Sequence, residues 1–200
     1  MAVLVPVYWR NYGVTNFLYF CDVALFFTLA AVWTERPLWA SMPAVGILLP
    51  QALWILDFLG QLVGHPLLGM TGYMFDAQIP YFTRGLSLFH FWLPLLIAWL
   101  VYRLGYDRRA FRYWTVLAVF LLFVCYFGLP APPAPIDNPS LPVNVNYVYG
   151  FSDSAPQTQL SPNIYFGLIV LLLPILVYFP THALLCWTTP QAAYPKRPVM

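Results

Sequence analysis

Five uninterrupted apolar runs, each close to the length of a bilayer-spanning helix, constrain this chain more than anything else in it. They cover approximately residues 14–33, 38–59, 86–106, 111–129 and 163–187. A helix rising 1.5 Å per residue needs about 20 residues to cross a hydrocarbon core of about 30 Å. Every run meets that length, and none alternates between apolar and polar residues as a barrel strand would.

Composition gives the same answer. The 200 residues are 61% hydrophobic and 8% charged, against about 25% charged in an ordinary soluble domain. So much apolar surface cannot be hidden in one soluble core. In lipid every backbone amide needs a partner within the protein, which leaves helices as the spanning element. The expected fold is all-α, a polytopic transmembrane helical bundle of about five spans forming a single transmembrane domain over residues 1–200. The segment 60–85 mixes apolar residues with Gly and Pro and reads as interfacial or re-entrant; a sixth crossing there is the alternative.

Prolines punctuate the pattern. Pro43 and Pro50 fall in the second run, and Pro174 and Pro180 in the fifth, where each removes a helix hydrogen bond and predicts a bend. Residues 130–162 open with Pro-Ala-Pro-Pro-Ala-Pro and carry no Lys or Arg, which predicts an extended surface loop. Met1 to Pro6 has no basic start to a cleavable signal, so the first span is expected to insert uncleaved.

The net charge of +2, carried by scattered arginines, excludes a nucleic-acid surface but suits topology. Arg103, Arg108, Arg109 and Arg112 crowd the turn between the third and fourth runs, which predicts a cytoplasmic position. The turn at Glu35-Arg36 and the C-terminal Lys196-Arg197 then fall on the same side. The N-terminus and the 130–162 loop are expected outside; Arg10 and Arg84 oppose this assignment.

Polar side chains inside spans are costly and are functional candidates by default. Thr15, Asn16, Cys21 and Asp22 lie early in the first run, Asp57 late in the second and His90 early in the third. The expected topology brings all of them to the outer half of the membrane. Thr15 and Asp22, seven apart, share a helix face, and Cys21 is one step round from Asp22. An Asp22–His90 pair could orient the imidazole, which would activate Cys21 or Thr15 as a nucleophile. The same pair could equally be interhelical glue, and His90 alone could be an axial ligand to a porphyrin metal. No cofactor is identified by the residues, and Cys21, Cys125 and Cys186 form no metal-ligand spacing, so no metal site is expected. Asn144, Asn146 and Tyr147, in the segment Asn-Val-Asn-Tyr-Val-Tyr-Gly, are candidate binding groups at the outer mouth, for a lipid head group or a partner.

Three stretches carry a resemblance. Asn16-Phe-Leu-Tyr-Phe-Cys-Asp-Val-Ala-Leu-Phe-Phe-Thr, Ser87-Leu-Phe-His-Phe-Trp-Leu and Asn146-Tyr-Val-Tyr, ahead of a proline-bearing last span, resemble the YwaF-like integral membrane proteins. Relatives of that group include transmembrane acyltransferases that remodel ether phospholipids. The resemblance implies acyl transfer with roles for Cys21 and His90; here Asp22 follows the cysteine. Membrane lipids are the implied partners. The competing reading is a non-enzymatic subunit packed on the helices, lipids or pigments of a larger membrane complex, suggested by the 19% aromatic content.

Overall fold

A computed structural model describes residues 1–139, 141–152 and 155–193. The elements are all helical: α1 Leu4–Tyr12, α2 Phe20–Thr34, α3 Pro37–Leu62, α4 Tyr81–Ser87, α5 Phe89–Leu104, α6 Ala110–Gly128, α7 Pro162–Leu173 and α8 Phe179–Thr188, with short 3₁₀ turns at Val14–Leu18, Gly72–Phe75 and Val145–Tyr147. No strand occurs among the described residues beyond an isolated bridge between Tyr106 and Gln191. The chain is an all-α helical bundle.

Four helical stretches are long and apolar enough to cross a membrane: Pro37–Leu62, Tyr81–Leu104, Ala110–Gly128 and Pro162–Thr188. They fit an integral, multi-pass membrane protein. The first expected span is shorter than its apolar run. Gly13, at φ 78°, ends α1, residues 14–18 coil as a 3₁₀ turn, and Tyr19 is extended (φ −60°, ψ 136°). Only the 15 residues of α2 remain, about 22 Å of helix, short of the hydrocarbon thickness. The third span begins earlier than its run, because α4 leads into α5 through Leu88.

The α3 helix is the hub and packs on α2, α5, α6 and α8. Half of its apolar window is buried inside the protein, against 17% for Pro162–Thr188 at the periphery. Small residues make this possible. Ala40, Ser41 and Ala44 are fully buried, and a Cβ on Gly46 would overlap the indole of Trp114, itself fully buried. Ser41 has a further role, since its Oγ accepts the Asp107 amide at 2.9 Å. The α2–α3 turn closes with Glu35 in the left-handed region (φ 51°) and Pro37 at the first position of α3, where its missing N–H is of no consequence. In the last span Pro174 opens a π-turn, Pro174–Tyr178, between α7 and α8, the form taken there by the expected bend.

One long connection follows expectation and the other departs from it. The segment 63–80 forms no spanning helix; it folds back on the end of α3. The 130–162 region is not a surface loop throughout, because Val143, Asn144, Val145, Asn146 and Val148 are buried, and Val145 and Val148 pack with Leu122, Cys125 and Phe166 in a second core cluster. Valines at 145 and 148 supply that apolar anchor.

Candidate functional site

One cavity of about 470 Å³ opens where α2, α3, the start of α5 and the 142–147 segment meet. Four residues singled out in the sequence, Asn16, Cys21, Asp22 and His90, lie on its wall, together with Asn146 and Tyr147. Thr15, Asp57 and Asn144 do not line it.

Asp22 sits in the first turn of α2 and is 3% exposed. Its Oδ2 accepts the Asn16 amide at 3.3 Å and faces the Cys21 thiol at 3.9 Å. Its Oδ1 is buried with no hydrogen-bond partner. No hydrogen bond joins Asp22 to His90, so the expected carboxylate–imidazole pair is not formed. The imidazole is oriented instead by Gln51, whose side-chain amide lies 2.8 Å from His90 Nδ1, and it stacks between Trp54 and Phe89 at centroid distances of 5.0 and 4.1 Å. Gln51 and Trp54 are one turn apart on α3, so a single helix face sets the ring's plane and engages Nδ1.

A hydroxyl cluster forms the opposite side. Tyr8 Oη lies 2.9 Å from Ser87 Oγ, and Tyr73 stands beside Ser87 and Trp54. Burial pushes the Tyr8 and Tyr73 phenols well above their ordinary range, and Tyr12 up as well. All three enter the site as neutral phenols.

Asp57, fully buried at the end of α3, has a different role. Its Oδ1 accepts the amides of Leu67, Leu68 and Gly69 at 2.9, 2.6 and 2.9 Å, and its Oδ2 accepts the Thr71 amide and hydroxyl at 2.9 and 2.7 Å. This carboxylate staples the loop that delivers Met70 and Tyr73 to the cavity.

Asn146 likewise works on the protein itself. Held at φ 60°, it accepts the Phe20 amide at 3.0 Å and donates to Leu18 O at 2.9 Å. It thereby takes over an orphan N–H at the start of α2 and fixes where Cys21 and Asp22 begin. Asn144 donates to Gly150 O and Ser152 O and accepts the Tyr149 amide, which shapes the loop. Thr15 Oγ1 is buried without a partner, away from the cavity. Among the described residues no group of three His, Cys, Asp or Glu side chains could hold a metal ion.

Sequence reasoning missed Gln51, Ser87, Tyr8 and Tyr73. Gln51 carried a signal, being a polar side chain in the middle of an apolar run. Tyr8 and Tyr73 carried none, because they lie outside the spans and reach the cavity only through the fold of α1 and of the 63–80 segment.

Compared with protein-family models, curated proteins and solved structures, the chain matches none.

Proposed function

We propose that this chain takes one membrane lipid into the cavity and acts on its acyl group through Cys21 and His90, with Asp22 positioning the thiol. The observation that carries the reading is the shared wall: a thiol, a carboxylate and an imidazole from α2 and α5 open onto one apolar-lined space inside a bundle of membrane-spanning helices. A cavity of this size suits part of a small amphiphile.

In the first half of the reaction the Cys21 sulfur attacks the ester carbonyl. The sulfur–acyl bond forms, the ester carbon–oxygen bond breaks, and His90 passes the thiol proton to the departing hydroxyl. In the second half water or another lipid hydroxyl attacks the thioester. Its proton returns through His90 to the sulfur, and the thiol is restored. Gln51 at Nδ1 leaves Nε2 as the working nitrogen, and the 3.9 Å contact to Asp22 Oδ2 holds the thiol toward the cavity.

The excess of arginine in the 103–112 turn supports an orientation with that turn and the C-terminus in the cytoplasm, and with the N-terminus, the 130–162 loop and the cavity on the outer side. Labelling of single cysteines introduced at 136 and 108 in sealed cells tests that orientation; protection at 136 with labelling at 108 from outside reverses it. The chemistry is tested with purified protein in vesicles of defined phospholipid, by following acyl release or transfer. Cys21→Ala and His90→Asn should each abolish turnover, and unchanged turnover in both variants rules the reading out.

A second reading, an accessory subunit of a membrane complex, draws on the exposed face of the last span, where Leu171, Ile175 and Phe179 point outward. Its measure is the mass of the protein extracted in mild detergent; a single species of one chain argues against it.

A further inference from the structure

The cavity is lined with aromatic rings around one buried acid, and among the described residues no Lys or Arg reaches its wall. Tyr8, Tyr12, Phe20, Trp54 and Tyr73 contribute to that lining, as does Asp22, whose Oδ1 is buried with no hydrogen-bond partner. The side chain is 3% exposed, so water cannot solvate the orphaned oxygen freely. A carboxylate in such a place costs several kcal/mol when its charge is left uncompensated. Its remaining contacts, a 3.3 Å amide and a 3.9 Å thiol on the other oxygen, are too long to offset that cost. Faces of Tyr, Phe and Trp attract cations, and rings grouped around a carboxylate are the arrangement that holds alkylated ammonium groups.

We propose that the cavity is a receptor for an organic ammonium group, the head of a zwitterionic membrane lipid, with Asp22 as its counter-charge and the surrounding aromatic side chains as its cage. The inference deepens the reading of the cavity as a lipid site and rests on it for the identity of the molecule that bears the ammonium. It assigns Oδ1 to the ligand and leaves Oδ2 to Asn16 and Cys21.

The test uses the full chain purified in an uncharged maltoside detergent and measures binding of radiolabelled tetramethylammonium by equilibrium dialysis, with sodium chloride at matched ionic strength as the control. Wild type should bind saturably at one site. Asp22→Asn, which keeps the side chain's shape and removes no hydrogen bond from Oδ1, should weaken binding at least about tenfold, the order expected for a desolvated cation losing its counter-charge. Should that variant fail to fold, Tyr12→Leu serves instead, with a loss of about threefold. The absence of saturable binding to wild type, or equal binding by wild type and Asp22→Asn, overturns the proposal.

Competition then identifies the source of the group. A short-chain alkylphosphocholine should displace tetramethylammonium, while the alkylphosphoglycerol of the same chain length should not; equal displacement by both means that the tail binds rather than the head and overturns the proposal. Displacement by free choline alone supports the ammonium site and overturns its assignment to a lipid. Cation binding and acyl turnover measured on the same wild-type preparation separate the two readings. If the wild type binds the cation but turns over no acyl ester, the acyl chemistry fails while the ammonium site stands.

Discussion

Replacing Asp57 with alanine should release the 63–80 segment from the end of α3, and the magnitude follows from where its five donors lie. Thr71 is fully buried, so its amide and hydroxyl lose their acceptor in a place that water does not reach, at about 1–3 kcal/mol each. Leu67 and Leu68 are exposed, so their amides, and with them that of Gly69, can turn to solvent at about 0.5 kcal/mol each. The sum is about 5 kcal/mol, and relaxation of the loop brings the expected loss to about 4 kcal/mol. For a chain of this size that is roughly 10 °C in the unfolding midpoint, readable from the tryptophan fluorescence of the detergent-solubilised protein. Asp57→Asn keeps one acceptor oxygen and should lose about half as much. The loop should also become cleavable by protease near 63–70 in the alanine variant. A midpoint within about 2 °C of wild type, with an unchanged cleavage pattern, would show that the carboxylate does not hold the loop.

Gly46→Ala drives a methyl group into the Trp114 ring and should cost about 1–3 kcal/mol; Trp114→Leu in the same chain should recover part of it, and additive losses in a double-mutant cycle would refute the contact. Asn146→Ala removes the acceptor of the Phe20 amide and a donor to Leu18 O, with an expected loss of about 2 kcal/mol and faster alkylation of Cys21 by a maleimide; an unchanged alkylation rate contradicts the positioning role. Gln51→Leu strips Nδ1 of its partner and should lower acyl turnover at least tenfold while leaving the unfolding midpoint within a few degrees. Full activity in that variant would mean that the glutamine does not orient the imidazole.

Much of the fold could be read from hydrophobicity alone. The apolar runs at 38–59, 111–129 and 163–187 became helical stretches with ends shifted by a few residues, because their apolar length favours helix in lipid strongly enough to absorb the prolines at 43, 50, 174 and 180. The run at 14–33 misled, since apolar composition says how far a segment can be buried and not whether it coils from its first residue. Gly13 and the extended Tyr19 decided that, through backbone conformation. The buried 143–148 segment was illegible for a related reason: its valines are too few and too close to prolines to register as an element. They gain an environment only from α6, α7 and residues 18–20, the last of which lie far away along the chain.

The site was legible in outline. Asn16, Cys21, Asp22 and His90 stood out because polar groups in apolar runs are rare, and all four line one cavity. Their pairing was not legible. Spacing along a helix shows which residues share its face, but it cannot show that Gln51 reaches His90 before Asp22 does, or that Asp57 turns away to bind four backbone amides.

The bond from Asn146 Oδ1 to the Phe20 amide joins residues 126 positions apart, and this sets an order of assembly during synthesis. By the time the ribosome reaches Asn146, α2 and all of α3 through α6 have been made, with the first turn of α2 still waiting for its acceptor. The pocket therefore closes late, after α2 through α6 have been made. Chains truncated before that point would carry an α2 whose first amide has no acceptor, a mark that membrane quality control could read.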